Sequence, residues 1–182
     1  MWWNWKAMKL TDALSLIRDI PDYPKPGILF KDITPLLADP EAFSAVIRAF
    51  SQQIDQVDIV AGIEARGFIF AAAIAAQNNA GFVPFRKSGK LPFETVGAKY
   101  GLEYGTDEIE VHIDAFSGGK SVVIVDDVLA TGGTIAAALE LAEQTGAKVL
   151  SVLVLFEITA LGGRELIAKR FPGVEIRSLV TS

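Results

Sequence analysis

The run Ser121–Thr134, reading SVVIVDDVLATGGT, leaves a chain few architectures to adopt. Val122–Val125 is a continuous β-branched block, the pattern of a parallel strand covered on both faces. Asp126 and Asp127 follow at its carboxyl end, where open α/β sheets place their ligands. Ala130, Thr131, Gly132, Gly133 and Thr134 then offer backbone N–H groups and two hydroxyls ahead of an apolar helix that starts near Ile135. That combination suits a phosphate monoester, because a helix N-terminus favours negative charge. The two carboxylates cannot hold the same group, since like charges repel. They suit the vicinal hydroxyls of a ribose, or a magnesium ion nearby. The competing reading is a plain βα turn with an acidic cap pair. A dinucleotide turn (G-x-G-x-x-G) and a Walker A loop are both absent from this position.

At 182 residues the chain is long enough for one well-buried domain, and its apolar fraction of 51% fits a globular protein. The most apolar stretch, from Ile59 to Ala76, is interrupted by Glu64 and Arg66, so no membrane span is expected. The absence of cysteine excludes disulfides, thiolate metal sites and a thiol nucleophile, and fits a reducing cytoplasm. A net charge of −5 argues against general nucleic-acid binding. An anionic substrate must then be held by a local cluster of positive charge.

Strands alternating with helices predict a doubly wound, mostly parallel sheet flanked by helices, as one domain over residues 1–182. A helix is expected over Thr11–Ile20, capped by Thr11, with Leu14, Leu16 and Ile17 on its apolar face. Pro21, Pro24, Pro26 and Gly27 predict an irregular, partly extended segment. A second helix, Pro40–Gln53, has Asp39 as its cap and proline at its first position. Ile59–Gly62 reads as a strand, Phe68–Gln77 as a helix, and Gly81–Pro84 as the start of another strand. Residues 90–113, with glycines at 97, 101 and 105, read as a long hairpin or hood. Val122–Val125, Ile135–Gln144 and Val149–Phe156 complete the pattern as strand, helix and strand.

The acid pair and the turn after it resemble the phosphoribosyl-diphosphate signature of the type I phosphoribosyltransferases. Four further segments resemble the adenine phosphoribosyltransferases, in the family's order: residues 24–32 (PKPGILFKD), 62–68 (GIEARGF), 86–92 (RKSGKLP) and 102–106 (LEYGT). The resemblance covers most of the chain, from Asp22 to Arg164. It implies the type I phosphoribosyltransferase fold with a flexible β-hood, and transfer of the 5-phosphoribosyl group from phosphoribosyl diphosphate to adenine, giving AMP and pyrophosphate in purine salvage. It further implies magnesium as cofactor and a homodimer.

By the same resemblance Asp126 and Asp127 hold the ribose hydroxyls, and Ala130, Thr131, Gly132, Gly133 and Thr134 hold the 5′-phosphate. Magnesium is held mainly by substrate, near the acid pair. Ala65 and Arg66 hold the pyrophosphate, and the guanidinium of Arg66 is a planar fork suited to paired phosphate oxygens. Arg86, Lys87 and Lys90 reach the pyrophosphate site of the partner subunit. Glu103, beside Tyr104 in the hood, approaches the purine nitrogens and accepts or shares a proton. Leu29, Phe30 and Lys31 read the adenine, with Phe30 stacking on it; Ile28 is expected in the core. Taken singly, the Arg66 loop, the basic cluster and Glu103 also read as solvated surface.

Where hypoxanthine-guanine enzymes of this fold carry Asp before the Thr-Gly of the turn, this chain has Ala130, although xanthine-type relatives can share it. A transferase for a 6-oxopurine is therefore one rival. A non-catalytic regulator that senses the sugar diphosphate is another, opposed by Glu103 and the acidic charge. His112, the one histidine, reads as structural. Residues 1–10, with Trp2, Trp3 and Trp5, are unlike the family's start and are expected to cover a core edge or dimer seam, or to be disordered.

Overall fold

The computed structural model describes residues 8–102 and 105–181, so Trp2, Trp3, Trp5, Glu103 and Tyr104 lie outside the described residues. The chain divides into two compact units, Met1–Gln52 and Gln53–Ser182.

The first unit holds α1 (Leu10–Leu14), β1 (Arg18–Pro21), β2 (Leu29–Asp32), α2 (Thr34–Ala38) and α3 (Pro40–Ser51). The helix expected over Thr11–Ile20 stops at Leu14. Thr11 does not cap it, since the cap position is Lys9, and its buried residue is Ala13 rather than the expected apolar trio. Arg18–Pro21 instead pairs antiparallel with Leu29–Asp32. A strand partner distant in sequence outweighs local helical preference there. The expected irregular segment is the connection of this hairpin, with a cis Tyr23–Pro24 peptide and Gly27 at φ 87°. Asp39 caps α3 as expected, accepting from the amides of Glu41 and Ala42 at 2.9 Å each.

The second unit is built on a seven-stranded sheet in the order β5-β6-β4-β3-β7-β8-β9. β3 (Ile59–Ile63), β4 (Gly81–Lys87), β7 (Ser121–Leu129), β8 (Lys148–Glu157) and β9 (Glu175–Thr181) run parallel. The hood is the antiparallel hairpin of β5 (Thr95–Leu102) and β6 (Gly105–His112), joined to β4 through Arg86↔Glu110 and Lys87↔Ile109. Three helices, α4 (Gly67–Gln77), α5 (Gly133–Gln144) and α6 (Gly163–Arg170), flank the sheet. The apolar run of β7 is fully buried, and Phe85, Phe116, Ile124 and Leu139 are among the largest buried side chains of the core.

β7 does not end at Val125 but continues to Leu129. Its pairing with β3 stops at Gly62↔Val125, while its pairing with β8 runs on to Leu129↔Glu157. The acids thus stand on strand backbone supported from one side only. α2, α6 and β9 were not anticipated. His112 packs against the edge of the Phe93 ring, 6.0 Å between centroids, and its buried Nε2 has no hydrogen-bond partner among the described residues. Among the described residues no helix is long and apolar enough to cross a membrane.

Candidate active site

The centre of the site is where β3 stops and β7 continues. β3 turns through Glu64, Ala65 and Arg66 into α4, and the Glu64–Ala65 peptide is cis. Gly67 opens α4 against β7 at the point where β3 stops pairing with it. A Cβ there would lie 2.7 Å from the Val125 carbonyl oxygen and 2.8 Å from the Asp126 Cα, so only glycine allows this approach. The approach brings Arg66 onto the acid pair: its Nη2 lies 2.6 Å from Asp127 Oδ2.

Asp126 and Asp127 are both buried. Burial pushes both carboxyls above the usual carboxylate range, and for Asp126 the negative charge of Asp127 pushes further the same way. Arg66 opposes the rise at both. The amide of Asp127 donates to Asp126 Oδ1 at 2.8 Å. Two adjacent buried acids with raised proton affinity, beside a guanidinium, make this a candidate functional site.

The turn Ala130–Thr134 leads from β7 into α5. Gly132 stands at the helix cap with φ 84°, a left-handed conformation that favours glycine. The first amides of a helix such as α5 have no partner within the helix. Asp126 and the whole turn line one cavity of about 100 Å³. Asp126 and the turn therefore open on the same small space.

The hood leans on this turn. A Cβ on Gly133 would lie 3.2 Å from the Gly101 carbonyl oxygen. The Tyr100 hydroxyl donates to Asp107 Oδ2 at 3.2 Å and is also hydrogen-bonded to the Thr134 side chain. Burial, then the Asp107 charge, pushes the Tyr100 phenol up to about 12. Lys99, Tyr100 and Gly101 of β5 also bound a larger cavity, about 380 Å³, with Thr131, Gly133 and residues of α5 and α6.

The basic residues are all placed on β4 and the loop after it, but each engages an acid of this chain. Arg86 Nε donates to Glu64 Oε2 at 2.7 Å, and Lys87 Nζ lies 2.7 Å from Asp107 Oδ2. The Lys90 amide donates to Glu110 Oε1 at 3.1 Å. Glu64, held below the usual carboxylate range chiefly by the Arg86 hydrogen bond, is a participant that sequence reasoning missed. Its place inside the 62–68 motif was the available signal. Tyr100 and Asp107 were missed as well, and their pairing across the hood hairpin (Tyr100↔Asp107) has no local signature.

In the first unit, Leu29, Phe30 and Lys31 lie together on β2. Leu29 is exposed, and Ile28 is half-buried rather than in the core, because the hairpin carries it at the surface of a two-stranded sheet. The Tyr23 ring meets Phe30 edge-on at 5.2 Å, and Lys31 Nζ pairs with Asp19 at 2.6 Å.

A parallel sheet with paired acids, a glycine turn and a hairpin hood is the arrangement of a phosphoribosyltransferase, and the family model for the phosphoribosyl transferase domain matches residues 32–176. The adenine phosphoribosyltransferase of Acidothermus cellulolyticus is 59% identical over 166 residues, covering 90% of this chain and 92% of that one. The crystal structure of adenine phosphoribosyltransferase from Thermoanaerobacter pseudethanolicus superposes with a TM-score of 0.89 at 48% identity, covering 96% of this chain and all of the other. The Saccharomyces cerevisiae enzyme, complexed with D-2,5-dideoxy-2,5-imino-altritol 1,6-bisphosphate and adenine, superposes at 0.88 with 36% identity over 94% of this chain and 98% of that one. The chain belongs to the phosphoribosyltransferase family, and within it to the adenine phosphoribosyltransferases.

Proposed function

We propose that Asp126, Asp127, the Ala130–Thr134 turn and Arg66 carry out in this chain the reaction of its family. That reaction transfers the 5-phosphoribosyl group from phosphoribosyl diphosphate to adenine, giving AMP and pyrophosphate, in purine salvage. The observation that carries this assignment of residues is the shared cavity of Asp126 and the turn, with Arg66 on the neighbouring acid.

In the reaction the bond from the anomeric carbon to the adenine nitrogen forms as the bond to the diphosphate oxygen breaks. The electron pair leaves with pyrophosphate, and the adenine nitrogen gives up its proton. The turn holds the 5′-phosphate, a remote handle that fixes the ring for attack. The acids accept hydrogen bonds from the ribose hydroxyls, and their negative charge favours the cationic character of the sugar as the bonds exchange. Arg66 and Ala65 hold the departing pyrophosphate, and fixed positive charge placed where negative charge develops is usually the largest catalytic contribution. Leu29, Phe30 and Lys31 recognise the base. In the family's pattern Glu103, beside Tyr104, takes the adenine proton, and the hood excludes water that would hydrolyse the activated sugar. The Saccharomyces cerevisiae relative, complexed with an imino-altritol bisphosphate and adenine, supports the choice of adenine as the base.

Magnesium fits as a substrate-borne ion. Among the described residues no group of three or more His, Cys, Asp or Glu could hold a metal, so the oxygens of the diphosphate and ribose would supply most of its ligands beside Asp126 and Asp127. When bound it supplies positive charge to the leaving group. A homodimer, in which Arg86, Lys87 and Lys90 serve the partner's pyrophosphate site, accords with the exposure of Phe82 and Phe93 near that segment. The cysteine-free chain suits the cytoplasm.

The test is product analysis with phosphoribosyl diphosphate, magnesium and a panel of bases. AMP and pyrophosphate released only with adenine is the expected result. Nucleotide formed from a 6-oxopurine in preference would move the base assignment, and no pyrophosphate release with any base would defeat the catalytic one.

A further inference from the structure

Arg164 makes a set of bonds that the reaction above does not use. Its Nε donates to Glu157 Oε1 at 2.7 Å, Nη1 to the Ile176 carbonyl oxygen at 2.9 Å, and Nη2 to Ser178 Oγ at 3.0 Å and to Glu157 Oε2. The Ser178 hydroxyl donates to the same Glu157 oxygen at 2.5 Å. Glu157 is 3% exposed, and the Arg164 hydrogen bond holds its carboxyl below the usual range against the opposing effect of burial. A pair with so buried an acid gains little net stability, because desolvation offsets attraction. What the fork does fix is direction, since a planar guanidinium with four partners allows one arrangement.

That arrangement bears on the phosphate turn from both flanks. Glu157 ends β8 beside Leu129, the residue before the turn, and the Ile158 amide donates to the Leu129 carbonyl oxygen at 2.9 Å. Arg164 follows Gly163, whose backbone lies directly on the turn. A Cβ on Gly163 would stand 3.0 Å from the Gly132 nitrogen and 2.7 Å from Leu129 Cδ1; one on Gly132 would stand 2.8 Å from the Gly163 carbonyl oxygen. Backbone meets backbone, so a small displacement of Gly163 moves the turn.

We propose that Arg164 is a positioning residue for the 5′-phosphate of the sugar substrate: anchored on Glu157, Ile176 and Ser178, it holds Gly163 against Gly132 and so sets the directions of the turn's amides. This rests on the reading of Ala130–Thr134 as the phosphate-binding turn.

The experiment compares the full-length protein with Arg164→Gln, Arg164→Lys, Ser178→Ala and a Thr131→Val/Thr134→Val control. It reads the Kd for AMP, the separate KM values for phosphoribosyl diphosphate and adenine, and the thermal midpoint. Arg164→Gln raises the Kd for AMP and the KM for phosphoribosyl diphosphate about 10- to 100-fold, the cost of a catalytic group or handle displaced by about 1 Å. The KM for adenine stays within about twofold, a smaller change than the tenfold that 1.4 kcal/mol represents. Arg164→Lys recovers part of the loss, since an ammonium keeps the bond to Glu157 but not the fork. Ser178→Ala shifts the same constants in the same direction by less, and it keeps the proposal testable should Arg164→Gln not fold. Native AMP affinity in the folded Arg164 variants overturns the proposal, as does a loss shared equally by both substrates or no shift in Ser178→Ala. Native AMP affinity in the threonine control defeats instead the reading of the turn itself.

Discussion

Arg66 Nη2 and Asp127 Oδ2 stand 2.6 Å apart, joining the loop assigned to the leaving group with the acids assigned to the sugar. The pair gives Asp127 its main compensation for burial. It also holds the Arg66 guanidinium against the acid pair at the end of the β3–α4 loop.

Replacing Arg66 therefore has two effects. Arg66→Gln leaves Asp127 buried without its cation and removes the fork for pyrophosphate. Turnover is expected to fall by about 10²- to 10³-fold, the range for a lost electrostatic donor. The reverse reaction from AMP and pyrophosphate checks it, with a raised KM for pyrophosphate and a smaller change for AMP. Arg66→Lys is expected to recover little, because a point charge does not reproduce the fork.

Asp126→Asn is expected to separate stability from activity. The asparagine oxygen can keep the hydrogen bond from the Asp127 amide while removing a buried charge. For wild type the sign is clear: a carboxyl raised above its ordinary 3.8 binds its proton more tightly in the folded chain. Its ionisation then subtracts stability as the pH climbs from the ordinary value through the raised one. At neutral pH the variant should melt about 2–4 °C higher, the shift that about 1 kcal/mol gives a domain of this size. Below the ordinary carboxylate range the two proteins should melt alike. Activity should drop about 10²-fold or more as the ribose loses an anionic acceptor. Scanning calorimetry across pH and a turnover assay check both parts.

Tyr100 gives an alkaline signature. Its phenol, raised from 10.0 to about 12, keeps its proton longer in the folded chain than in the unfolded one. The associated stability is present below pH 10 and is lost as the pH rises toward about 12. Tyr100→Phe is expected to flatten that limb of the melting profile relative to wild type. In the same variant Asp107 keeps Lys87, while the bond from the Tyr100 hydroxyl to the Thr134 side chain is lost, so the hood should also protect the turn less well in amide hydrogen exchange.

Glu103→Gln is expected to lower turnover by about 10²-fold or more, the usual range for general acid–base groups, with little effect on sugar-phosphate binding. Single-turnover AMP formation alongside a direct binding measurement separates the two. Unchanged turnover would remove Glu103 from the mechanism.

What could be read from the sequence was local. The β7 acids and turn, the Asp39 cap and the β3–α4 unit are each contiguous, and their chemistry lies in neighbouring residues. Thr11–Ile20 has helical spacing and is helical as far as Leu14, but its end, from Arg18, is settled by a strand partner around Phe30. β9, α6 and the Arg164 cluster are not legible in the sequence because their meaning is non-local: Glu157, Arg164 and Ser178 sit on three elements and carry no spacing signature. The pairing of Arg86 and Lys87 with acids was hidden for the same reason. Glu64, in the turn after β3, meets Arg86 on the neighbouring β4, and Lys87 meets Asp107 across the junction of sheet and hood.

The contact of Gly132 with Gly163 has a consequence for how such a molecule can change over time. Neither position can accept a side chain, and enlarging one cannot be offset by shrinking the other, because each is already the smallest residue. Mutational drift is thus barred from the β7–α5 turn at this seam, and any change of preference must be written in side chains elsewhere.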